Sequence, residues 1–410
     1  MAVSAKDREI MRGLARQVAD FAALPVQQER ITLWKSFNAL RPARPMVLAF
    51  PEGGWRDLVT DADCQCQDQS LRAWELGLRR RIWHAQHIHD DHPVVDTFNV
   101  NWAVQLGDYG VTEQYHRTDP LGSHVWDPPL KQPADIKKLR PRTMSLDRAA
   151  SQQNLQKAQG LFGDILKVRL YYHVGWPAML SWTLIRLRGL DQVMLDIYDN
   201  PQFLHELMAF LSAERMRELT WLEGEGILSL NNGPDDYVGS GGLGCTEELP
   251  AAGFTGRVRL KDLWGFGESQ EFVLVGPEHW HEFVLKYQLP ILERFALNHY
   301  GCCEPLDRKY ELLFAHVPRL RRLSISPWCD RELAARTLTD RYIFSWKPAP
   351  SMICAPNVNW PEVERYTRET VKIAKGCCIE MVMKDTHTFH GDASRIERWS
   401  RIASAAAQEA

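Results

Sequence analysis

The sequence predicts an α/β fold: a (β/α)8 TIM barrel, read as one domain over residues 1–410 with residues 1–44 as an N-terminal helical extension. Three observations predict it. Eight short apolar or β-branched runs recur along the chain, helical patterns separate most of them, and titratable residues gather just past the C-terminal ends of the runs. Barrels of this class place their active sites at that end and reach this length with insertions.

Taken in order, residues 5–40 read as helical, with Ile10, Leu14, Val18 and Phe21 on one face. Pro25 breaks this stretch, and a second helix runs through Leu33 and Trp34. The expected strands are 46–50, 97–104, 168–174, 226–230, 295–299, 320–325, 342–346 and 378–383. Helices are expected at 190–196, 202–222, 277–294, 331–338 and 361–374. The last has Pro361 at its start and Gly376 beyond its end, the usual helix punctuation. Stretches 107–130 and 231–276 read as loops over the mouth. Within the second, Gly239-Ser240-Gly241-Gly242-Leu243-Gly244 reads as a flexible lid, with Trp264, Phe266 and Glu268 closing over a substrate. It lacks the Lys-Ser/Thr of a phosphate-binding loop and the strand–helix setting of a dinucleotide fingerprint.

Composition excludes several classes. An apolar fraction of 45% suits a large core, and a net charge of −3 gives no field favouring nucleic acid. The clusters Arg79-Arg80-Arg81 and Arg319, Arg321 and Arg322 read as solvated faces. Nine scattered cysteines fit reduced thiols better than a disulfide framework. The N-terminus lacks a signal-peptide core, and no apolar run is long enough to span a bilayer. A cytoplasmic protein acting on a small molecule, without membrane or nucleic acid, is the expectation.

Chemistry concentrates in His299-Tyr300-Gly301-Cys302-Cys303-Glu304-Pro305. An imidazole and two thiols are ligands that Zn²⁺ prefers, so His299, Cys302 and Cys303 are the metal candidates. The alternative is two buried cysteines beside a hydrogen-bonded histidine. Gly301 permits the immediate turn that both thiols need to face the same way. Glu304, Lys347, Asp385 and His387 follow strands and are candidates for general acid–base work, with ion pairing at the rim as the alternative. His387 has the alternative of opening a helix. Lys384, His173, Trp328 and Trp346 are substrate-binding candidates by the same position, although His173 also suits a hydrogen-bonded wall. Cys377 and Cys378 open the last strand, about 20 Å from the mouth, and read as core thiols. Cys64-Gln65-Cys66 lacks the spacing of a zinc knuckle.

These residues carry a resemblance. The N-terminal helices, Arg44-Pro45 before the first strand, the Tyr-Gly-Cys-Cys-Glu-Pro segment and the terminal Lys-Asp-Thr-His-Thr resemble the uroporphyrinogen decarboxylase-like superfamily. The chain looks closest to its methyltransferase-like branch, over roughly residues 7–403. The porphyrinogen-binding arginines of true decarboxylases are missing from 49–55, which speaks against tetrapyrrole decarboxylation. The branch implies zinc held by His-x-Cys and a distal Cys; here the spacing is His299-x-x-Cys302, and Asp385 and His387 occupy the distal segment. What the resemblance implies is zinc-assisted, demethylase-type methyl transfer between a small methylated substrate and a corrinoid or thiol acceptor. The cobalamin would ride on a separate corrinoid protein. The alternatives are a metal-independent decarboxylase or lyase of a carboxylated substrate, using Lys347 and Lys384, and a non-catalytic partner of a corrinoid protein.

Overall fold

Six strands of a parallel sheet place the candidate residues. The computed structural model describes residues 3–117 and 124–410. Met1 and Ala2 of the N-terminus, and residues 118–123 of the stretch read as a loop, lie outside the described residues. The strands are β1 (Met46–Ala49), β2 (Thr97–Asn101), β3 (Ala103–Leu106), β4 (Gln114–Arg117), β5 (His124–Asp127), β6 (Met144–Asp147), β7 (Lys167–Tyr171), β8 (Trp264–Gly267), β9 (Leu297–Tyr300), β10 (Leu320–Ile325), β11 (Ile343–Trp346) and β12 (Cys378–Met383). The main sheet runs β1-β12-β11-β10-β9-β8, all parallel, so every strand delivers its C-terminal end to one side. β1, β8, β9, β11 and β12 are buried along their whole length, as strands sandwiched on both faces must be.

The expected eight-strand ring is not formed by backbone pairing among the described residues. β2 and β7 make a separate parallel pair, β3 pairs antiparallel with β6, and β4 with β5. Stretch 107–130, expected as loop, thus carries β4 and β5. The fourth expected strand, 226–230, forms no ladder. Side chains make the joint there instead: Asn231 Oδ1 accepts from Trp264 N (2.9 Å), Asn231 Nδ2 donates to Trp264 O (3.0 Å), and Tyr172 N donates to Ser229 Oγ (3.0 Å). The open edge of β1 is closed in the same manner. Asp91 Oδ2 accepts from Val47 N (2.8 Å), Asp90 Oδ2 accepts from Ala49 N (3.0 Å), and Asp91 N donates to Val47 O (2.9 Å). Both edges are therefore satisfied without further strands, which removes the exposed templates that promote aggregation.

Helices form the outer layer. Arg331–Leu338 appears as expected; Leu190–Asp199, Pro201–Glu225 and Trp360–Ile373 differ from expectation only at their ends. The N-terminal helices are Ala5–Ala22 and Pro25–Asn38. No helix among the described residues is long and apolar enough to cross a membrane. The main apolar core lies between the sheet and these helices; Trp346, fully buried, packs there with its ring 5.4 Å from Tyr366.

The expected lid is something else. Residues 238–246 are all buried, and Tyr237 bridges to Leu243 as a narrow hairpin. The hairpin lies against the polar face of the main sheet. An added Cβ at Gly239 would stand 2.1 Å from His299 Nδ1, at Gly241 2.9 Å from Val382, and at Gly242 2.9 Å from Arg322. Glycine is needed here for close approach, not for mobility. Trp264 and Phe266, expected to cover a substrate, belong to β8 and are buried.

Candidate functional site

Alternation along the strands decides which side chains face the 238–246 hairpin, which plugs the polar face of the sheet. On β10 to β12 the inward set is Arg322 and Ser324, then Ser345 and Lys347, then Glu380 and Lys384. Trp346, between Ser345 and Lys347, turns to the helices and so leaves the site to its neighbours. Arg322, expected in solvent, is fully buried. Its Nε lies 3.1 Å from Glu380 Oε1, its Nη2 donates to Asn38 Oδ1 (2.6 Å), and its guanidinium sits 5.1 Å from the Trp264 ring. Ser345 Oγ donates to Glu380, and Lys347 Nζ donates to Ser345 Oγ and to Ser345 O (3.2 Å). A ladder of buried charge thus climbs from the floor toward the mouth. Burial, reinforced by the neighbouring cations Lys384 and Arg322 against the opposing Glu380, pushes Lys347 down to about 7.

His299 stands lower than its thiol neighbours. Its ring is fully buried, Nε2 lies 2.9 Å from Ser324 Oγ, and Nδ1 is sealed beneath the Gly239 backbone. Burial, with Lys347 and Arg322 nearby, holds the imidazole well below its usual pKa and therefore neutral. Gly301, at φ 95°, then turns the chain as its sequence position suggested. Cys302 and Cys303 emerge from that turn with sulfurs 3.7 Å apart, Cys302 buried and Cys303 half-buried. Glu304, also buried, braces the turn: it accepts from Cys302 N (2.9 Å) and Ser269 N (2.8 Å). Ser240 Oγ of the plug donates to Cys302 Sγ (3.2 Å).

These contacts divide the labour between the thiols. The hydrogen bond between the two sulfurs raises Cys302 and lowers Cys303 below the ordinary thiol range; Lys384 favours the thiolate on both. Lys384 is itself buried, which opposes its charge, but Tyr237, Asp385, Cys302 and Glu52 outweigh burial and raise its pKa. Its Nζ lies 2.9 Å from both Asp385 oxygens. Asp385 N donates to Glu52 Oε2 (2.6 Å), and both residues adopt positive φ, 56° and 45°. Paired left-handed residues beside a reactive group are the kind of local strain that functional sites retain. Behind the thiols, Glu268 is fully buried, and burial together with Glu271 and Glu304 raises its pKa well above the usual carboxylate range.

The structure therefore brings together Cys302, Cys303, Glu304, Lys347, Lys384 and Asp385. His387 is exposed on the loop after β12, which opens no helix, and Trp328 is 68% exposed beyond β10. His173 is exposed beyond β7, its ring 6.4 Å from Tyr171. Sequence reasoning missed Tyr237, Ser240 and the Arg322–Glu380 pair. A charged residue in the middle of each of two apolar strands was the available signal for that pair. As to zinc, His299 spends one nitrogen on Ser324 and has the other covered. Among the described residues no group of three His, Cys, Asp or Glu is placed to share a metal ion. The residues as placed do not fit a three-ligand zinc set.

No family model matches the sequence, and no curated protein matches it. Among solved structures the chain is similar to a methyltransferase from Methanosarcina mazei, at 7% identity and a TM-score of 0.49, over 93% of this chain and 98% of that one. A likeness of that size decides neither the fold nor the activity.

Proposed function

We propose that this chain is an enzyme of methyl transfer, with Cys303 as the sulfur that receives the methyl group from a small methylated substrate. The observation that supports it is the pair itself: a half-buried sulfur whose pKa is lowered by the neighbouring sulfur 3.7 Å away, near the ammonium of Lys384 at the strand C-termini. A soft thiolate is suited to displacement at a saturated carbon. Cys303 Sγ attacks the methyl carbon, the bond from that carbon to the donor heteroatom breaks, and the heteroatom leaves with the electron pair. Lys384, held by Asp385, gives the leaving atom its proton. Glu304 keeps the turn in place throughout. A corrinoid on a separate protein, or a second thiol, would then take the methyl group away.

Incubation with trideuteromethyl donors (methoxyarenes, methylthiols, methylamines) followed by peptide mapping tests this. A labelled thioether on Cys303 is expected, absent in Cys303→Ser.

A second reading has one observation in its favour. Lys347, its pKa lowered to about 7, and Lys384 follow the paired strands β11 and β12, a placement that suits a lyase acting on a carboxylated substrate. Release of CO2 from carboxylated compounds, without any label on Cys303, would favour that reading over methyl transfer.

A further inference from the structure

The chain has two pairs of adjacent cysteines, and the fold treats them differently. Cys377 and Cys378 face apart: Cys377 Sγ donates to Ala335 O (3.5 Å) and Cys378 Sγ to Phe37 O (3.4 Å). That is the alternation an extended chain imposes. Cys302 and Cys303 follow the left-handed Gly301, so their sulfurs face each other at 3.7 Å. Only Cys303 of this pair reaches solvent appreciably; Cys302 is 4% exposed.

We propose that Cys303 is a thiol-modification site and Cys302 its resolving partner, closed to an adjacent-residue disulfide by a small disulfide of the glutathione class. The proposal rests on Cys303 being the nucleophilic sulfur of the reading above. In the first step Cys303 thiolate attacks one sulfur of the oxidant, a mixed disulfide forms, and one thiolate leaves. In the second, Cys302 gives up its proton and attacks Cys303 Sγ, and the second glutathione leaves as thiol. Two protein thiols are oxidised, one external disulfide is reduced to two thiols, and the protons pass to the products.

Closure needs the sulfurs to move from 3.7 Å to about 2.05 Å. Adjacent Cα atoms lie about 3.8 Å apart, below the usual disulfide range of ~4.4–6.8 Å, so the ring is strained and excess thiol reopens it. Closure also consumes the nucleophile and breaks the Cys302-to-Cys303 hydrogen bond. The site would be reversibly silenced.

The test uses the full chain, reduced and then exposed to glutathione disulfide, with acid quenching and peptide mapping by mass. In the wild type the peptide holding Cys302 and Cys303 should lose two hydrogens, resist alkylation and recover with dithiothreitol. Cys302→Ser should retain one glutathione on Cys303. In Cys303→Ser, Cys302 should react about tenfold more slowly or less, being shielded. A persistent glutathione adduct on wild-type Cys303 would overturn the proposal, as would oxidation falling first on the half-buried Cys64, Cys354 or Cys377. The wild-type arm needs no variant to fold. Closure without methyl labelling of Cys303 would sink the methyl-transfer reading alone; labelling without closure would sink this one alone.

Discussion

Lys347 is a residue whose protonation separates the folded from the unfolded chain near neutral pH. In the fold its pKa falls from 10.5 to about 7 through burial. The unfolded chain therefore takes up a proton as pH falls below about 10.4, while the folded chain does so only near 7. Unfolding free energy rises with pH across that window and gains nothing from this group below it. Urea unfolding of wild type and Lys347→Met between pH 6.5 and 10 should show the wild type gaining a few kcal/mol on the variant as pH rises. Parallel curves would refute the assignment. At the same scale, iodoacetamide should alkylate Cys303 ahead of Cys302, read by mapping early time points; equal rates would remove the division of labour between them. The sequence marked this cluster because thiols, imidazole and carboxylate crowd seven positions. It could not show that His299 sits a level below the thiols, because that depends on a hairpin more than fifty residues upstream.

That hairpin is the element the sequence misled on. Four glycines in six residues read equally well as looseness or as intimate packing, and composition does not choose between them. Burial of residues 238–246 against charged side chains decides for packing. Gly239→Ala should cost about 2–4 kcal/mol, adding overpacking against His299 to the penalty for a side chain at φ 62°. Denaturant midpoints check this, and a loss below ~0.5 kcal/mol would restore the lid. β8 was missed for a related reason: glycine at alternate positions reads as loop. Yet Gly265 leaves room for Asn298, and Gly267 for the Tyr300 ring. The uniformly apolar β1 was legible because nothing in it competes with the pattern.

For the whole molecule, the surprise is that the N-terminal extension is part of the core. Asn38, fully buried at the end of the second helix, donates to Leu243 O (3.0 Å) and Cys245 O (2.8 Å) and accepts from Arg322. One amide ties extension, plug and sheet together. Asn38→Ala should cost about 2 kcal/mol, since it leaves Cys245 O unpaired while Arg322 and Leu243 O keep only each other, and removal of residues 1–44 should abolish cooperative unfolding. Glu380→Gln should cost about 3–5 kcal/mol by leaving Arg322 buried and unpaired, with the double change Arg322→Met and Glu380→Met recovering much of the loss. Heat capacity or fluorescence melts read both. The plug also sets a clock. Val238 N donates to Gly242 O and Gly244 N to Asp236 O, inside a hairpin wedged against buried ions. Local fraying has no route to these amides, so their deuterium uptake should wait on rupture of the entire fold, and they become the slowest exchangers despite standing in the most glycine-rich stretch of the chain.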